Sequence, residues 1–466
     1  MKTRITNPFL LRVLSTSLGL LFVGRVTAQT LTTLYSFTAR NNSTNSDGAW
    51  PTCKLVLSSN ILYGTTSAGG DSSYGTVFNL NTDGTSFKSL YSFIGPPNPQ
   101  AGGSVQGLVL LVDRLYGTAR GMDWVLFAVN SDGTGFSVLH TFTGGSDGGS
   151  PLGDMIVEGN TLYGTASSGG GASSEGTVFK LNIDGTGFTR LHTFAAASFP
   201  PFTNSDGAGP RAGVALLGNT LFGTTYYGGT SGHGTIFSVG IDGASFKTLY
   251  NFTGSIDGAS PNGALLLASG TLHGTTFSGG GSGFGTVFAV NTNGTGLRTL
   301  HSFTPSDGTN PNGGLILSGN KLYGTAAEGG PSGSGTIFAV NTDGTGFTNL
   351  YSFTGSDGAR PKGGLILSGN ILYGTTSFGG NFGNGTVFSL SFPPHLNIIS
   401  SGPNFILSWP TNYAGFDYTE YTLQSTTNLG SSAVWTTNAP APVVVNGQYS
   451  VTNPISGTRQ FFRLSQ

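Results

Sequence analysis

The sequence predicts an all-β protein: a seven-bladed β-propeller closed by its amino-terminal strand, followed by a small carboxy-terminal β-sandwich. The first observation is a composition of 78 glycines in 466 residues with only 8% charged residues. The second is a phrase, "LYGT" or a close variant, that recurs every 47 to 59 residues, the period of kelch-like propeller blades. The third is that an incomplete unit stands at each end of the repeats. The seven copies of the phrase begin at Leu62, Leu115, Leu162, Leu221, Leu272, Leu322 and Leu372.

The composition is that of a folded, strand-rich chain. Disordered segments combine low hydrophobicity with high net charge, whereas this chain is 37% hydrophobic and contains 33 Phe and 16 Tyr. Glycine therefore marks turns between short strands, where the backbone needs a positive φ. The density of glycine and of other helix breakers excludes long helices.

Each repeat unit divides into four short strands, and the sixth unit shows the pattern. Its predicted strands, rich in β-branched and aromatic residues, are 314–318 ("GLILS"), 321–326 ("KLYGTA"), 335–340 ("GTIFAV") and 348–353 ("TNLYSF"). "SGN" and "NTDG" supply tight turns between them. Consecutive apolar residues such as Leu315, Ile316 and Leu317 predict that neighbouring sheets cover each sheet on both faces.

The two ends of the repeat region complement each other. The segment "LTTLYSFT" (31–38) is a fourth-strand phrase without three preceding strands, and the last unit stops at "GTVFSL" (385–390) without a fourth strand. Because open sheet edges invite aggregation, we expect the first segment to pair with the second and close the ring. The predicted domains are a propeller at 29–391 and, after "FPPH", a β-sandwich of fibronectin type III or immunoglobulin type at 392–466.

Residues 1–28 have the features of a secretory signal peptide. A basic start with Lys2 and Arg4 precedes the apolar stretch "LSTSLGLLFVG", and "VTA" precedes a cleavage point after Ala28. A membrane span is the alternative, but the apolar run is short and Arg25 interrupts it. We therefore expect a monomeric bacterial protein that is secreted or exposed at the cell envelope, with no membrane span after cleavage. No cluster of Lys and Arg remains to bind nucleic acid.

The consensus phrase "LYGTT…GG…GTVF…NTDGTGF…LYSF…SDG..P.GGL" resembles the Gloeobacter/Verrucomicrobia (GloVer) extracellular tandem repeat, of the choice-of-anchor type, over residues 31–390. The resemblance implies an exported protein associated with the cell surface, and it implies no enzymatic activity. The second unit departs from the phrase, because "LYGTARGMDWVLFAV" lacks the double glycine and "GTVF", and Trp124 stands in place of a loop. The final "RQFFRLSQ" lacks the hydrophobic sorting tail that is common in such proteins.

Six acids recur at one point of the repeat, in the "SDG" or "DG" before the first strand: Asp47, Asp147, Asp206, Asp257, Asp307 and Asp357. In a propeller this linking loop lies on the same rim as the loop between the second and third strands. One hypothesis is a ring of carboxylates that binds Ca²⁺, the one cofactor considered, or sugar hydroxyls. The other is that each aspartate caps its own turn while the next glycine adopts a left-handed conformation. Recurrence in six units favours the turn cap.

Aromatic residues in the loops between second and third strands, with one histidine outside the pattern, form the candidate ligand-binding set: Tyr74, Trp124, Tyr226, Tyr227, His233, Phe284, Phe378 and Phe382. Exposed rings beside acids and small polar residues are typical of carbohydrate-binding surfaces. Ordinary loop packing is the alternative. A second group, His140, His192 and His301, occupies the Tyr position of "LYSF" and is interpreted as packing variants.

A catalytic site is not expected. Glu175 and Glu328 are loop acids of the kind that a glycosidase uses in pairs, but they belong to units far apart around the ring. No nucleophile triad and no metal-spaced histidine pair stands out, and Cys53 takes the place of a small residue in an apolar strand. We therefore predict a non-enzymatic protein that recognises glycan or protein through its loop face, or a structural envelope component. A carbohydrate-active hydrolase or lyase is the alternative.

Overall fold

The computed structural model describes residues 11–12, 29–94, 105–121, 123–171, 175–198, 202–413, 415–428, 433–437, 440–455 and 460–465. All regular secondary structure in these ranges is β-strand, as the sequence predicts. The predicted leader lies outside the described residues except for Leu11–Arg12. Two compact units are present: a repeat domain (31–368 and 372–389) and a terminal domain (1–30, 369–371 and 390–466). None of the described residues forms a helix with the length and apolar character that a membrane crossing requires.

The strands before residue 392 are short and regularly spaced. In chain order they are β1 (Leu11–Arg12), β2 (Thr30–Ser36), β3 (Asn45–Ala49), β4 (Val56–Ser58), β5 (Ile61–Thr65), β6 (Ala68–Gly70), β7 (Thr76–Asn81), β8 (Lys88–Ser92), β9 (Gln106–Leu111), β10 (Arg114–Arg120), β11 (Trp124–Asn130), β12 (Ser137–Phe142), β13 (Ile156–Glu158), β14 (Thr161–Ala166), β15 (Thr177–Asn182), β16 (Thr189–Thr193), β17 (Ala215–Leu217), β18 (Thr220–Thr225), β19 (Thr235–Gly240), β20 (Lys247–Asn251), β21 (Ala259–Pro261), β22 (Leu266–Ala268), β23 (Thr271–Ser278), β24 (Thr286–Asn291), β25 (Arg298–Ser302), β26 (Thr309–Pro311), β27 (Ile316–Ser318), β28 (Lys321–Glu328), β29 (Thr336–Asn341), β30 (Thr348–Ser352), β31 (Ile366–Ser368), β32 (Ile371–Thr376) and β33 (Thr386–Ser391).

Each copy of the "LYGT" phrase lies in its own antiparallel sheet. Numbered along the chain, the sheets are sheet 1 (β4-β5-β7-β8), sheet 2 (β9-β10-β11-β12), sheet 3 (β13-β14-β15-β16), sheet 4 (β17-β18-β19-β20), sheet 5 (β22-β23-β24-β25, with β21 also on β23), sheet 6 (β27-β28-β29-β30, with β26 also on β28) and sheet 7 (β31-β32-β33-β2). The four strands predicted for the sixth unit are confirmed as β27 to β30, with ends that differ by one or two residues.

Sheet 7 joins the two ends of the repeat region. Its outer strand is β2, which pairs with β33, so the predicted pairing of the terminal segments is confirmed. Just beyond β2, the backbone N–H of Phe37 donates to the carbonyl oxygen of Gly385 at 3.1 Å. The backbone N–H of Asn381 donates to Ser36 Oγ at 2.9 Å. The incomplete first and last units therefore form one four-stranded sheet.

Pairs of phenylalanine rings connect each sheet to the next. The "LYSF" phenylalanine of one sheet meets the third-strand phenylalanine of its neighbour edge-on, with centroids 5.0–5.4 Å apart. The pairs are Phe37–Phe78, Phe93–Phe127, Phe142–Phe179, Phe194–Phe237, Phe252–Phe288, Phe303–Phe338 and Phe353–Phe388. Because the first pair links sheet 7 to sheet 1, the series of contacts returns to its starting point.

The glycine of the "LYGT" phrase makes room for these rings. Gly223 lies opposite Phe237 in the β18–β19 register. A Cβ atom added at Gly223 would lie 2.5 Å from Cζ of Phe237, much closer than van der Waals contact allows. The same conflict arises at Gly324 with Phe338 and at Gly374 with Phe388. The repeated phrase thus specifies close packing between strand and ring.

The turn between the third and fourth strands is held by its own polar side chains. In "NTDGT" of sheet 6, Asp343 Oδ1 accepts hydrogen bonds from the backbone N–H and the hydroxyl of Thr345 at 2.8 and 2.7 Å. Gly344 has a φ of 91°, which a side chain would strain. Hydrogen bonds from Thr345 hold the pKa of the exposed Asp343 carboxyl below its usual range. The predicted Asp-Gly hairpin turn is therefore confirmed.

Burial differs between the third strand and the first strand of a sheet. Ile337 and Phe338 of β29 are fully buried, as expected for a sheet covered on both faces. Ile316 and Leu317 of β27 are only partly buried, although Leu317 packs against the core between sheets 5 and 6. First strands of other sheets, such as β4 and β9, border a common cavity.

The terminal domain contains two four-stranded antiparallel sheets with one apolar core. Its strands are β34 (Asn397–Ser401), β35 (Asn404–Pro410), β36 (Asn412–Tyr413), β37 (Phe416–Asp417), β38 (Thr422–Thr426), β39 (Thr436–Thr437), β40 (Val443–Val445), β41 (Gln448–Pro454) and β42 (Phe461–Ser465). The sheets are β1-β42-β38-β39 and β34-β35-β41-β40, and β36 pairs with β37. Leu407 and Trp409 of the second sheet pack with Leu423 and Phe462 of the first.

Candidate functional site

Two sets of loops pair with each other on one face of the repeat domain. A linking loop joins the fourth strand of one sheet to the first strand of the next, and a second loop joins second and third strands. In sheet 7, Ala359 of the linking loop and Phe378 of the second loop exchange backbone hydrogen bonds of 2.7 and 2.9 Å. Ala208 and Tyr227 of sheet 4 do the same. The predicted location of both loop sets on one rim is thus confirmed, and we call this surface the loop face.

The repeated aspartates cap the linking loops. Asp257 Oδ1 accepts from the Thr253 hydroxyl at 2.6 Å, and its Oδ2 accepts from the Thr253 backbone N–H at 2.8 Å and from the Tyr250 hydroxyl at 3.0 Å. Burial, followed by the hydrogen bond to Asp257, raises the pKa of Tyr250 to about 12, so the hydroxyl stays a donor. The other aspartates cap their loops in the same way, because each accepts a hydrogen bond from a backbone N–H: Asp47, Asp147, Asp206, Asp307 and Asp357.

These hydrogen bonds bear on the calcium hypothesis. Each carboxylate is used inside its own turn, in a separate unit of the repeat. In the part of the chain that the structure describes, no three side chains of His, Cys, Asp or Glu stand close enough together to hold a metal ion. The geometry therefore favours the turn-cap interpretation of the six aspartates.

Histidines at the tyrosine position of the fourth strand take part in the same caps. The distance from His301 Nε2 to Asp307 Oδ2 is 3.0 Å, and the His301 ring stacks on Phe347 of the next sheet at 3.4 Å between centroids. His140 and His192 contact Asp147 and Asp206 in the same manner. The interpretation of these histidines as packing variants is therefore incomplete, because they also replace the tyrosine hydroxyl as hydrogen-bond donor.

The histidine caps predict a dependence of stability on pH. Burial lowers the pKa of His301 below its usual 6.5, and the Asp307 carboxylate offsets this only in part. The unfolded chain then binds the proton more readily, so stability is present above pH 6.5 and is lost as pH falls through the lower pKa of the folded state. We expect His301→Tyr to reduce the fall in melting temperature between about pH 7.5 and pH 5 by on the order of 2 °C.

Thermal melts at the two pH values test this expectation, with His233→Tyr as the matched control. His233 is exposed in a second loop, so the same substitution there leaves the pH dependence unchanged. An identical fall in melting temperature for His301→Tyr and the unaltered protein would contradict the role assigned to the His301–Asp307 pair.

Two positions of the second loop carry different side chains on a backbone that stays the same. The residue before the "GT" of the third strand bonds to a glycine of its own loop and is Tyr74, Glu175, His233, Phe284, Ser334 or Asn384. The residue before the double glycine pairs with the linking loop and is Ala68, Ser168, Tyr227, Ser278, Glu328 or Phe378. Variable side chains on loops held by a rigid scaffold are a common basis of binding sites.

Two of the candidate aromatic residues belong to one cluster on sheet 4. The rings of Tyr226 and Tyr227 lie edge to face at 4.6 Å, and Tyr227 stacks on Phe202 at 5.5 Å with an interplanar angle of 27°. The Arg211 guanidinium lies 3.9 Å from the centre of Tyr226 and 5.2 Å from that of Tyr227. Phe202 and Tyr227 remain 42% and 37% exposed, so a flat apolar surface faces solvent beside a cation.

Other candidates are placed differently. Tyr74 and Trp124 are half buried against the cores between sheets. The prediction that Trp124 stands in a loop is wrong: it is the first residue of β11 and pairs with Arg120, because β10 and β11 continue into a tight hairpin. Phe378 lies 5.8 Å from the ring of Trp50.

The remaining candidates occupy second loops of sheets 4, 5 and 7. Phe284 and Phe382 are 36% and 53% exposed. The His233 ring covers Gly254 of the following linking loop, since a Cβ added at Gly254 would meet His233 Nε2 at 2.5 Å. The candidates are thus spread around the loop face, and Tyr226 with Tyr227 forms the aromatic pair that the described structure brings together among them.

The two loop acids belong to different sheets, and the cysteine is buried. Glu328 Oε1 forms an exposed ion pair with Arg360 Nη2 at 3.3 Å. Glu175 lies in the second loop of sheet 3, at the residue before the "GT" of the third strand. Cys53 is 4% exposed and accepts a hydrogen bond from the Thr65 hydroxyl at 2.8 Å. Burial raises the pKa of the Cys53 thiol to about 11, so it stays protonated at neutral pH. The interpretation of Cys53 as a buried filler is confirmed.

A central cavity of about 300 Å³ lies where the first strands begin. Every sheet contributes one short segment to its wall: 52–53, 106–107, 152–154, 211–213, 262–264, 312–314 and 362–364. A second cavity of about 400 Å³ is bordered by the first strands themselves and shares Asp154 with the first. Burial raises the pKa of Asp154, although nearby Lys54 acts in the opposite direction.

The side chains of the central cavity were not among the sequence candidates. They stand at the variable residue of "P-x-G", which is Asn262 in "PNGAL", Asn312 in "PNGGL" and Lys362 in "PKGGL". Arg211 in "PRAGV" lines the cavity and also contacts Tyr226 and Tyr227, so it connects the cavity to the aromatic cluster. Variation within an otherwise repeated phrase is the signal that could have identified this position.

The repeat sequence itself identifies the family. The profile described as the Gloeobacter/Verrucomicrobia repeat matches twice in tandem, at residues 125–272 and 257–401, which together make up more than half of the chain. The chain belongs to the Gloeobacter/Verrucomicrobia repeat family. The resemblance drawn from "LYGT" and "NTDGTGF" is therefore correct. A comparison of this Gloeobacter/Verrucomicrobia repeat protein with curated proteins gives no match.

Three chains of solved structures are similar to this Gloeobacter/Verrucomicrobia repeat protein. An oligogalacturonate lyase in complex with manganese is 11% identical, with 78% of this chain and 93% of that chain covered and a TM-score of 0.49. A chain of a nidogen/laminin complex is 15% identical, with coverages of 63% and 92% and a TM-score of 0.40. TolB from Acinetobacter baumannii is 17% identical, with both coverages at 60% and a TM-score of 0.39.

Proposed function

We propose that this repeat protein is an exported, non-enzymatic binding protein that recognises a carbohydrate through the loop face of a seven-bladed propeller. The Phe–Phe contacts that lead from sheet to sheet and back to sheet 1 support one closed ring of seven blades. The two sheets around a common core support a small β-sandwich at 392–466. The signal-like residues 1–28 support export, in agreement with a bacterial repeat family.

The observation that carries the proposal is the aromatic cluster of Phe202, Tyr226, Tyr227 and Arg211. The rings of Phe202 and Tyr227 are stacked and partly exposed, and they form a flat apolar surface. The apolar C–H face of a sugar ring packs on such a surface, while its hydroxyls need hydrogen-bonding groups nearby. The Arg211 guanidinium, which lies beside the rings of Tyr226 and Tyr227, supplies hydrogen-bond donors there.

The loop face also has the general properties of a recognition surface. Backbone hydrogen bonds between linking and second loops fix the positions of Tyr227 and Phe378, so that little ordering is needed on binding. Their side chains differ from unit to unit, whereas the turn caps and the "LYGT" glycine repeat. The repeated residues build the scaffold and the variable ones supply specificity.

Binding to a glycan array is the test of this function. We expect Tyr227→Ala to lower the affinity for the bound glycan by about 10-fold to 100-fold, the effect of removing a central aromatic contact. Ile256→Ala is the matched control, because Ile256 is a 75% exposed apolar residue in the next linking loop. Its loss leaves the aromatic surface intact and the affinity unchanged.

Three outcomes would contradict the proposal. One is a silent array together with capture of a purified surface protein, which would assign the loop face to protein recognition. Another is glycan binding that Tyr227→Ala leaves unchanged. The third is turnover of a polysaccharide that Glu328→Gln abolishes, which would indicate an enzyme.

A further inference from the structure

One side of the wall of the central cavity carries a continuous arc of long polar side chains. Consecutive sheets 4, 5, 6 and 7 present Arg211, Asn262, Asn312 and Lys362 at the same position of the repeat. The amide Nδ2 of Asn262 donates to Oδ1 of Asn312, so the two middle members of this arc contact each other directly. On sheet 3 the position is occupied by Leu152. One side of the cavity therefore offers hydrogen-bond donors and positive charge, whereas the side chains of Thr52, Gln106 and Leu152 line the other side.

In the part of the chain that the structure describes, neither cation of this arc is paired with a carboxylate, although Asp154 also lines the cavity. The chain contains only 19 Lys and Arg in 466 residues, yet Arg211 and Lys362 both line one cavity of about 300 Å³. Among the described residues, no ion pair joins either of them to a carboxylate. Asp154 lines both this cavity and the second one, and Lys54 is the cation that acts on its carboxyl group. Cations that are partly removed from water are stabilised by an anion between them.

We propose that the central cavity binds the carboxylate of an acidic sugar, with Arg211 and Lys362 as the cationic contacts. The inference rests on the proposed function in taking the carboxylate to be part of a sugar. Arg211 gives planar, paired donors that match a carboxylate, and Lys362 provides a point charge from the far end of the arc. The amides of Asn262 and Asn312 lie between them, where ring hydroxyls need hydrogen-bond partners.

The size of the cavity and its connection to the aromatic cluster define the ligand further. A volume of about 300 Å³ is at the lower end of ligand pockets, which suits one sugar unit rather than a chain. Arg211 contacts both the cavity and the ring of Tyr226, so a terminal acidic unit in the cavity would continue into sugars that cover Tyr227. Leu152, at the same position on sheet 3, offers an apolar contact for the C–H face of such a sugar unit.

Isothermal titration calorimetry on the full chain tests this assignment with glucuronate, glucose and acetate as probes. We expect glucuronate to bind and glucose to bind at least about tenfold more weakly, since loss of a charge-assisted contact has that size. Lys362→Met weakens glucuronate binding by about tenfold or more, whereas Lys362→Arg retains it. Lys247→Met is the control, because it removes the same charge from an exposed outer strand. Melting temperatures of the variants show that each is folded.

The outcomes separate this inference from the proposed function. Equal affinity for glucose and glucuronate, or glucuronate binding that Lys362→Met leaves unchanged, overturns it, even where array binding still depends on Tyr227. Acetate that binds as tightly as glucuronate overturns the assignment to a sugar. Glucuronate binding that requires Lys362 supports the inference. It does so even if Tyr227→Ala leaves the array signal unchanged, a result that would contradict the proposed function alone.

Discussion

A chain that begins at Thr38 is expected to lose most of the stability of the repeat domain, compared with a chain that begins at Gln29. The shorter chain lacks β2, the outer strand of sheet 7. It also lacks Phe37, which is fully buried and meets Phe78 of sheet 1 edge-on at 5.4 Å. Removal of this one segment therefore leaves sheet 7 without its outer strand and removes the ring contact between sheet 7 and sheet 1.

The expected loss exceeds that of a single core substitution. Replacing one buried phenylalanine by alanine costs about 3–5 kcal/mol, and domains are stable by only about 5–15 kcal/mol in total. Loss of β2 also uncovers the backbone edge of β33 and leaves Asp47 without the Tyr35 hydroxyl, its donor at 2.9 Å. Each 1 kcal/mol lost from the free energy of unfolding lowers the melting temperature by about 2–4 °C. We therefore expect the melting temperature to fall by more than about 10 °C, or the shortened chain to associate, which size-exclusion chromatography detects.

A synthetic peptide of residues 29–38 provides the decisive control. Added to the shortened chain, it is expected to restore the melting temperature by occupying the vacant edge, as in other cases of strand addition. The same peptide with Phe37→Ala restores less, because it pairs with β33 without filling the position beside Phe78. Equal stability of the two chain lengths, or no effect of the peptide, would contradict closure through β2.

The sequence allowed the closure to be predicted because the repeat can be counted. Each complete unit contains "LYSF" or a variant such as "LHTF", so its presence at residues 34–37 and its absence after residue 390 identify two parts of one sheet. The turn chemistry was equally accessible, since Asp343 and Gly344 act on their immediate neighbours. Local and periodic features are thus visible in a single sequence.

The central cavity could not be predicted in the same way. Arg211 and Lys362 are about 150 residues apart and belong to different sheets. Both line one cavity because every sheet contributes a segment to its wall, and no local pattern reveals this. The contact between His301 and Asp307 was missed for a different reason: tyrosine and histidine look like packing substitutes until the shared hydrogen-bond acceptor is seen.

Gly223→Ala is expected to destabilise the repeat domain by about 1–3 kcal/mol, the usual cost of overpacking a core. The three nearest atoms to a Cβ at Gly223 all belong to the Phe237 ring, at 2.5, 2.9 and 3.2 Å. Gly281→Ala is the matched control, because its φ is not positive and its nearest neighbour, Ser302 Oγ, is 3.7 Å away. Chemical denaturation measures the free energy of unfolding of both variants, and we expect little change in it for Gly281→Ala.

The physical cause can be isolated with a double-mutant cycle between Gly223 and Phe237. Phe237→Ala alone removes a fully buried ring and costs about 3–5 kcal/mol. In that background the added methyl group enters space that the ring has left, so Gly223→Ala should cost nothing or partly refill the cavity. The two substitutions should therefore be coupled by about 1–3 kcal/mol. If Gly223→Ala costs the same in both backgrounds, the glycine is needed for its backbone and not for the ring above it, and the repeated "LYGT" would require another explanation.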